Sequence, residues 1–528
     1  MNKEILSGSF LAHDSGMSVI KNGELTKTII FERLTREKHD GGFLIDSFLS
    51  ELSKTELDSV SFSQFLKHDN DDHIHAIKKE VKDVLDREVN LDIQYYDHHL
   101  CHAYCGYYTS KFDDALCIVM DGNGSAFKDK MITETESVYT FRNHKFDKVI
   151  FKKYISVDNF KKIYHKINNL KIDWSCVNVE DIIKILDEDI SIGQVYEYLC
   201  ILMGMSGHDA GKLMGLSQYK NHKSKLPEGY NSLEWINKVD ASYIVQKKLE
   251  DRVFNIVEEH IDKTGIKNVI LTGGIFLNCV SNYNLVKKFP DLNIHVDPMC
   301  SDNGISIGNA LISYTKKYGE SPTRIEGSYH GSSEPLNEIK SFGCSYKTNI
   351  TYSDVVDLLI NGEIIALYQG KSEVGQRSLG NRSLLFDPRV SNGKTIVNKI
   401  KRRENYRPFA ASILLEYSHD WFDLKTLNES PTMSYALEAK QKSLEQVPSV
   451  IHVDGTSRIQ TVTEKQNYHF YNLIHEFYKK TNVPMLLNTS FNLAGEPLVE
   501  TIQDALNVMH RSDLKYVYLP EINLLLFK

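Results

Sequence analysis

The sequence predicts an α/β protein of two domains, the first of which contains a repeated α/β unit. The repeat is indicated by two short acidic turns beside strand-like apolar runs, HDSG at residues 13–16 and DGNG at residues 121–124. Two domains follow from length, because 528 residues exceed what one hydrophobic core ordinarily holds. We place the boundary near residue 346, after which basic residues become concentrated, and this gives domains over residues 1–345 and 346–528.

Composition and charge narrow the class of protein. Hydrophobic residues make up 41% of the chain and charged residues 25%, which is typical of a globular protein. The net charge of −8 disfavours a broad nucleic-acid interface and favours small substrates. No run reaches the roughly 18 apolar residues of a membrane span and the N-terminus lacks a signal-peptide core, so we expect a cytoplasmic protein without an anchor. The 8 cysteines are dispersed, which favours reduced thiols over disulfides.

The first domain is expected to open with a strand, a polar turn and a hairpin. In SVIKNGEL, residues 18–25, two strand-like runs flank an Asn-Gly pair, which is a strong hairpin signal. A buried strand over residues 115–120 then leads into the DGNG turn, whose glycines allow backbone N–H groups to face an anion. A third strand, in NVILTGGIFLN, ends at Gly273 and Gly274, and Asn278 is predicted to begin a helix.

The spacing of these loops resembles a known fold. Two acidic turns and a later Gly-Gly loop are similar to those of the actin, hexokinase and sugar-kinase superfamily, in which paired α/β halves hold a nucleotide in the cleft between them. The resemblance concerns the fold alone. Between the loops lies HDAGKLMGL at residues 208–216, a glycine-spaced segment that carries Lys212. Beyond the boundary, residues 350–371 predict a helix, an Asn-Gly turn and a strand.

Two histidines in DHHLCHAY are candidates for a metal site. On a helix, His98 and His102 share one face and can direct ring nitrogens to the same point, although such pairs are often surface or core residues. Asp121, at the end of its strand, and Asp302, in CSDNGISIGNA, would complete the set, although each is also compatible with a cap or a turn. Two histidines and two aspartates would leave room for water or a substrate oxygen on an Fe, Mn or Zn ion.

The order of the motifs resembles one family. The HxxxH pair, the DGNG turn, GKLMGL, TGGIFLN and SDNGISIGNA follow one another as in the nodulation-type O-carbamoyltransferases. The resemblance implies an N-terminal domain similar to the transferase that adds threonylcarbamoyl to tRNA. It also implies that the metal, which we expect to be Fe(II) with Mn or Zn as alternatives, is bound by His98, His102, Asp121 and Asp302.

A second signature extends the resemblance into the C-terminal half. GKSEVGQRSLGNRSLLFDPR, residues 370–389, is similar to the signature of the family's YrdC-like domain, although Gln376 and Ser378 stand where proline and alanine are usual. These departures leave the arginines of the signature intact. The fold that the resemblance implies is therefore an actin/hexokinase-like duplicated α/β domain followed by a YrdC-like α/β domain.

The substrates that the resemblance implies are strongly anionic. Carbamoyl phosphate and ATP repel each other, so a site that binds both needs fixed cations. Our candidate cations are Arg377, Arg382, Lys401 and Arg407. In an acidic protein, the basic stretch NKIKRRENYRPFAASIL favours a small-anion pocket over a nucleic-acid patch. Small polar groups that could hydrogen-bond carbamate or phosphate, or could instead be turn residues at a strand end, are Asn488, Ser490 and Asn492.

The resemblance also implies a reaction. The C-terminal domain is expected to convert carbamoyl phosphate and ATP, with Mg²⁺ accompanying ATP, to carbamoyl adenylate. The adenylate then passes to the metal site, where a hydroxyl of a small-molecule or sugar-like acceptor displaces AMP. Gly273, Gly274 and Asn278 are expected to hold the nucleoside there. Lys212 would neutralise nucleotide phosphate, unless it is a solvated surface lysine.

His13 is our first candidate for the proton of the acceptor hydroxyl, because histidine titrates near neutrality, and Asp209 is the second. A structural role in the turn is the alternative for His13. We expect the acceptor pocket to draw on the segments 30–45 and 145–190, whose sequences do not specify which acceptor is used.

Two other functions compete with this interpretation. A metabolite kinase of the actin-like superfamily would use the same loops to place the γ-phosphate of ATP, but the HxxxH pair with a distant aspartate is unexpected there. A tRNA threonylcarbamoyl-type modification enzyme is the other alternative, against which the acidic balance of the chain counts.

Overall fold

The structure of the protein is a computed structural model that describes residues 3–10, 13–41, 47, 50, 60–64, 94–127, 130–186, 190–336 and 343–528. The segment 68–77, whose mixed acids and histidines predict a solvated surface, lies outside these residues. Within them the fold is mixed α/β, as predicted, with three sheets. Two sheets lie in residues 3–336, which we call the N-terminal region, and the third lies in residues 343–528, the C-terminal region.

The first sheet has the strand order β3-β2-β1-β4-β5. Its strands are β1 (Glu4–Phe10), β2 (Gly16–Lys21), β3 (Glu24–Ile30), β4 (Val60–Gln64) and β5 (Gln94–Tyr96). β3, β2 and β1 pair antiparallel, whereas β1, β4 and β5 pair parallel. The predicted hairpin is confirmed, because Asn22 and Gly23 connect β2 to β3 and both have the positive φ that a tight hairpin turn requires.

The second sheet repeats this arrangement. Its strands are β6 (Ala115–Met120), β7 (Ala126–Phe127), β8 (Ile132–Arg142), β9 (Lys145–Ser156), β10 (Asn268–Thr272) and β11 (Asn293–Val296). β9, β8 and β6 pair antiparallel, and β6, β10 and β11 pair parallel, while the short β7 also pairs with β8. The strands predicted before the DGNG turn and before the Gly-Gly loop are confirmed as β6 and β10.

Two helices separate the sheets of the N-terminal region. The helices described there are α1 (Phe31–Thr35), α2 (His98–Thr109), α3 (Val157–Asn169), α4 (Val179–Leu186), α5 (Ile192–Leu202), α6 (Ala210–Ser217), α7 (Leu233–Thr264), α8 (Cys279–Lys288) and α9 (Ile305–Tyr318). α9 packs on the first sheet, α2 packs on the second, and the two helices contact each other. They approach closely at Gly308, where a Cβ atom would lie 1.9 Å from the carbonyl oxygen of Cys101.

The C-terminal region is built on one ten-stranded sheet with the order β12-β21-β20-β13-β14-β19-β15-β18-β17-β16. Its strands are β12 (Ser345–Lys347), β13 (Ile365–Tyr368), β14 (Arg382–Phe386), β15 (Ala410–Leu414), β16 (Phe422–Asp423), β17 (Ala436–Ala439), β18 (Thr456–Val462), β19 (Met485–Ser490), β20 (Tyr516–Leu519) and β21 (Leu524–Phe527). Its helices are α10 (Tyr352–Ile360), α11 (Gly393–Lys401), α12 (Leu415–Trp421), α13 (Gln441–Gln446), α14 (Tyr468–Thr481) and α15 (Ile502–Arg511). The predicted helix, turn and strand over residues 350–371 are confirmed as α10, the turn and β13.

The two regions share a continuous core. One cluster of buried apolar side chains extends from Leu116 and Ile118 in β6 to Leu384 in β14 and Ile413 in β15. None of the 8 cysteines, all of which lie in the described residues, is part of a disulfide. Among the helices of the described residues, none combines the length and the apolar character that crossing a bilayer demands.

Candidate active site

Two histidines and two aspartates converge where α2, β6 and α9 meet. His98 and His102 lie one turn apart at the start of α2, whose first turn is capped by the side chain of Asp97. Asp121 directly follows β6, and Asp302 lies in the single 3-10 turn that precedes α9. Since α2 and α9 pack on each other, the ends of three elements deliver these four side chains to one point.

The structure brings all four predicted ligands together, since their candidate ligand atoms lie within 4.8 Å of one another. His102 Nε2 is 3.2 Å from Asp121 Oδ2 and 3.4 Å from Asp302 Oδ1. His98 Nε2 is 3.6 Å and 3.4 Å from the same two atoms. Both imidazoles are fully buried.

The donor set fits a divalent metal ion. Both ring nitrogens of His98 are buried and form no hydrogen bond, which is rare for polar atoms in a folded protein. Burial lowers the pKa of His98, but the carboxylates of Asp302 and Asp121 outweigh it and raise the pKa to about 10. Two imidazole nitrogens and two carboxylate oxygens are ligands for the borderline first-row metals, and a cation at their common point would satisfy the same atoms without extra protons.

A group of three histidines around Asp14 lies next to this cluster. His13 Nδ1 is 3.1 Å from Asp14 Oδ2 and 3.8 Å from Asp302 Oδ2. His39 Nδ1 is 3.2 Å from Asp14 Oδ1, and the ring of His208 stacks on that of His39 with the centroids 4.5 Å apart. Asp14 therefore connects His13, the predicted proton acceptor, to His39, and His13 lies beside the predicted metal ligand Asp302.

Hydrogen bonds connect Asp14 and Glu32 to the histidines of this group. Asp14, Glu32 and His39 also hold ligand atoms within 4.8 Å of one another. Both carboxylate oxygens of Asp14 face a histidine, however, and Glu32 Oε2 accepts the backbone N–H of His39 at 2.8 Å. The three side chains position one another, and we assign no ion to them.

The Gly-Gly loop lies against Asp121. Gly273 has a φ of 96°, and a Cβ there would lie 2.3 Å from the carbonyl oxygen of Met120. A Cβ at Gly274 would lie 3.0 Å from Asp121 Oδ1. Only glycines allow the loop to pack this closely beside the carboxylate, so the structure places Gly273 and Gly274 at the predicted metal cluster.

The structure places Asn278 in a structural position. Its Oδ1 accepts the backbone N–H of Ser281 at 3.0 Å and so caps α8, while its Nδ2 donates to Gln246 Oε1 at 2.8 Å. Because both ends of the buried amide are bonded within the protein, the geometry gives no reason to retain Asn278 as a nucleoside ligand.

A cavity of about 250 Å³ lies between the two regions. Its N-terminal wall includes Glu32, Lys38, His39, His208, Asp209 and Lys212. Its C-terminal wall includes Arg377, Arg403, Arg407, Arg458, Asn488, Ser490 and Asn492. Since the ring of His208 lies 5.0 Å from that of His13, the cavity extends from the C-terminal arginines to the neighbourhood of His13, beside the predicted metal ligands.

Four arginines line the C-terminal wall of the cavity, and three of them, Arg377, Arg403 and Arg458, are without a carboxylate partner among the described residues. Arg377 donates to the carbonyl of Leu277 at 3.1 Å, and the guanidinium of Arg403 lies over the ring of Phe409 at 4.2 Å. Arg458 has a buried Nε without a hydrogen-bond partner, and burial, with a smaller contribution from Arg377, lowers its pKa to about 9. These three arginines form no ion pair within the described part of the chain, so their charges remain available for an anionic ligand.

A salt-bridge network crosses the cavity from one region to the other. Lys212 Nζ lies 2.9 Å from Asp209 Oδ2 and 2.8 Å from Glu404 Oε1. Glu404 is also 3.7 Å from Arg407. Lys212 and Asp209 therefore line the cavity, and each is already paired with an opposite charge.

Two of the predicted cations do not reach the cavity. Arg382 is fully buried, lies over the ring of Tyr368 at 3.7 Å and donates to the carbonyls of Gln369, Asn381, Gly370 and Glu500. Lys401 donates to Ser490 Oγ at 3.1 Å and to Asn492 Oδ1 at 2.7 Å. Arg382 braces backbone carbonyls and Lys401 shapes the loop that holds Ser490 and Asn492, so we no longer assign substrate binding to either cation.

Several cavity residues were missed from the sequence. Arg403 lies in the basic stretch that predicts an anion pocket, which could have indicated it. Arg458 lies within β18 and has no local motif, and His39 and Lys38 follow α1 in a segment for which we predict only an acceptor pocket. His208 is next to the predicted Asp209 and could have been found as its neighbour.

Comparison with protein families matches both halves of the chain. A family described as Carbamoyltransferase N-terminus matches residues 62–248 and 231–311, and one described as Carbamoyltransferase C-terminus matches residues 356–525. Together these matches cover more than half of the chain.

Among curated proteins, the nodulation protein NolNO of Sinorhizobium fredii is 27% identical over 95% of this chain and 77% of its own length. The 3'-hydroxymethylcephem-O-carbamoyltransferase of Streptomyces clavuligerus is 27% identical over 56% of this chain and 61% of its own length. Among solved structures, T. kodakarensis HypF is 16% identical over 60% of this chain and 48% of its own, with a TM-score of 0.39.

Proposed function

The chain belongs to the carbamoyltransferase family and is an enzyme that transfers carbamoyl groups; we propose that it is an O-carbamoyltransferase that works through carbamoyl adenylate. The proposal assigns adenylate formation to the C-terminal region and transfer to the N-terminal region. The observation that carries it is the cavity between the regions, which is lined by arginines on one side and by His39 and His208 on the other. Both of these rings lie next to His13, which is 3.8 Å from Asp302 of the four-residue cluster. An activated carbamate made at one wall would reach the other without leaving the protein.

The proposal includes a finer fold assignment. The two sheets of the N-terminal region repeat one order of strands and one set of directions, and two packed helices separate them, which supports an actin/hexokinase-like duplicated domain over residues 1–345. Residues 346–528 would then form a YrdC-like domain, which is consistent with a third sheet confined to residues 345–527.

In the C-terminal half-reaction, water displaces phosphate from carbamoyl phosphate, and an oxygen of the carbamate attacks the α-phosphorus of ATP, from which pyrophosphate leaves. Every reactant is anionic, so the fixed charges of Arg377, Arg403 and Arg458 would reduce the repulsion between them. Asn488, Ser490 and Asn492 add small polar groups at the same wall. We expect Mg²⁺ to accompany ATP.

In the transfer step, the acceptor hydroxyl attacks the carbamoyl carbon and AMP leaves. His98, His102, Asp121 and Asp302 would hold a divalent metal, Fe(II) with Mn or Zn as alternatives, which when bound would polarise the carbamoyl oxygen. The carboxylate of Asp14 accepts from His13 Nδ1, so Nε2 is the ring atom that would take the hydroxyl proton. Burial lowers the pKa of His13, but the hydrogen bond with Asp14 and the charge of Asp302 outweigh it and raise the pKa to about 9, so the ring must first lose its own proton. Gly273 and Gly274 would let the nucleotide approach beside Asp121.

One assay tests the proposal. The purified protein is incubated with ATP and carbamoyl phosphate, and AMP and pyrophosphate are measured with and without carbamoyl phosphate. We expect both products to depend on carbamoyl phosphate, and a subsequent mass-spectrometric screen of hydroxylated acceptors to find a carbamoylated product. Formation of ADP with a sugar acceptor would contradict the proposal in favour of a metabolite kinase, and activity with threonine and bicarbonate would favour a tRNA-modification enzyme.

A further inference from the structure

One side chain of the N-terminal region, Arg33, lines the cavity and is largely buried against the C-terminal region. Arg33, in α1, is 3% exposed and donates to the carbonyl of Glu373 and, at 2.8 Å, to the carbonyl of Gly375. The same guanidinium donates to Ser372 Oγ at 3.3 Å and lies 3.5 Å from a carboxylate oxygen of Glu500. Arg33 thus bonds to three residues, Ser372, Glu373 and Gly375, in the segment that leads to Arg377.

We call residues 372–378 the arginine loop, since Arg377 extends from it into the cavity. Its far end is fixed by Glu373 Oε1, which accepts the backbone N–H groups of Leu379 at 2.6 Å and Asn381 at 2.9 Å. Its middle packs on the N-terminal region, because a Cβ at Gly375 would lie 2.9 Å from the carbonyl oxygen of Pro298. The arginine loop is therefore in contact with both regions. Arg33 bonds to its first residues, Ser372 and Glu373.

A second arginine nearby bridges the regions without touching the arginine loop. Arg36 donates to the carbonyls of Leu498 at 2.6 Å and Pro497 at 3.1 Å and lies 3.6 Å from Asp504. Arg33 and Arg36 make similar bonds across the same boundary, but only those of Arg33 end on the arginine loop. Substituting Arg36 therefore removes contacts between the regions without removing a contact to the arginine loop, whereas substituting Arg33 removes both.

We propose that Arg33 is a positioning residue for the C-terminal half-reaction, holding the arginine loop so that Arg377 faces the cavity. The inference rests on the proposed function, which assigns adenylate formation to this cavity. Loss of Arg33 would leave the backbone carbonyls of Glu373 and Gly375 without this donor and remove the charge that faces Glu500, and the loop would shift to find new partners. A small displacement of a guanidinium that must grip phosphate is enough to weaken binding. Lysine cannot replace the fork, because its single ammonium does not reach several acceptors in a plane.

The test compares three full-length variants, Arg33→Met, Arg33→Lys and the matched control Arg36→Met. The measured quantities are KM and kcat for AMP and pyrophosphate formation from ATP and carbamoyl phosphate, the metal content, and the rise in Tm caused by inorganic phosphate. We expect both Arg33 variants to raise KM for carbamoyl phosphate by about tenfold, with metal content unchanged, and to lose most of the phosphate-induced rise in Tm. The Arg36 variant should change KM by less than about threefold.

Equal effects of the Arg33 and Arg36 variants on KM and on the phosphate response would overturn the inference, since they would reduce Arg33 to one more contact between the regions. Should Arg33→Met fail to fold, Glu500→Gln removes the counter-charge while Arg33 stays, and it is expected to raise KM in the same direction. A wild-type protein that forms no AMP would contradict the proposed function instead, and the phosphate response of the Arg33 and Arg36 variants would still decide the role of Arg33.

Discussion

The four-residue cluster of His98, His102, Asp121 and Asp302 and the arginine wall of the cavity (Arg377, Arg403 and Arg458) have opposite electrostatic arrangements. In the cluster, carboxylates of Asp121 and Asp302 face the imidazoles of His98 and His102 at 3.2–3.6 Å, so opposite partners balance one another. At the arginine wall, Arg377, Arg403 and Arg458 have no carboxylate partner among the described residues, and their like charges repel.

The difference indicates the charge of the ligand that each group of side chains can bind. A group of buried imidazoles and partly exposed carboxylates can bind a cation by exchanging protons for it, and the opposite charges hold the group together before the cation binds. A group of unpaired guanidiniums is held together by the rest of the fold and is relieved only when an anion binds. We therefore expect a substitution in the cluster to impair carbamoyl transfer alone, and a substitution in the arginine wall to impair adenylate formation alone.

The largest expected effect is at the cluster. Asp121→Asn removes one charged ligand, so we expect carbamoyl transfer to fall by about a thousandfold and the bound metal to be lost. Formation of AMP and pyrophosphate should persist, because the arginine wall is untouched. The measurements are the two half-reactions and metal content by mass spectrometry, with the exposed Asp291→Asn as control. Chelation of the wild-type protein should produce the same split, and equal loss of both half-reactions would refute the independence of the cluster and the arginine wall.

The second expected effect is the reverse split, at the arginine wall. Arg458→Met should raise KM for carbamoyl phosphate by about tenfold to a hundredfold and leave metal content unchanged. Burial, followed by the charge of Arg377, disfavours the charged form of Arg458 and lowers its pKa, but a guanidinium keeps its proton in proteins and the charge is present at neutral pH. The increase in KM should therefore be found throughout the neutral pH range.

The control for this prediction is Arg142→Met, at an arginine whose side chain is 52% exposed and pairs with Asp147 away from the cavity. It should leave KM unchanged. An unchanged KM for Arg458→Met would show that this guanidinium does not bind the substrate, and a loss of metal from the same variant would contradict the independence of the cluster and the arginine wall.

The same contrast explains what the sequence could predict. Each residue of the cluster stands at the end of a strongly patterned element: His98 and His102 open a helix, and Asp121 ends the continuous apolar run of β6. Such positions are read from local pattern, and the order of the motifs along the chain then identified the family. The hairpin at Asn22 and the Gly-Gly loop were predictable for the same reason, since each needs residues that tolerate positive φ.

The arginine wall could not be read in this way, because its members come from three separated stretches. Arg377 and Arg407 were found near motifs, but Arg458 lies inside β18, where nothing local distinguishes a cavity arginine from a surface one. Conversely, Arg382 and Lys401 lie in the motifs and turn away from the cavity to bind carbonyls and amides. Which way a cation points depends on the acceptors that folding brings near it, and a single sequence does not contain that information.

The smallest expected effect is a change in the free energy of unfolding, caused by a buried carboxyl on β8 that lies next to the N-terminal cap of α2. Glu134, in β8, is fully buried beside Asp97, the cap of α2, and Lys152 Nζ bonds to both carboxylates. Burial, with the nearby charge of Asp97, raises the pKa of Glu134 to about 7, above its ordinary value of 4.5. A carboxyl whose pKa is raised by folding favours the folded state when protonated, so the wild type loses stability as the pH rises from about 4.5 to 7.

Glu134→Gln, which keeps the shape of the neutral acid, should therefore be more stable than the wild type at pH 8, by on the order of 1–2 kcal/mol, and equally stable at pH 5. The measurement is denaturant unfolding at the two pH values. Glu136→Gln is the matched control, because Glu136 is equally buried on the same strand but is paired with Arg252, so its loss should destabilise the protein at pH 8. If both variants were more stable than the wild type at pH 8, any neutral residue on this strand would be stabilising, whether or not its carboxylate has a cationic partner. If Glu134→Gln were less stable than the wild type at pH 8, the ion pairs of Lys152 with both Glu134 and Asp97 would be stabilising, which would contradict this prediction.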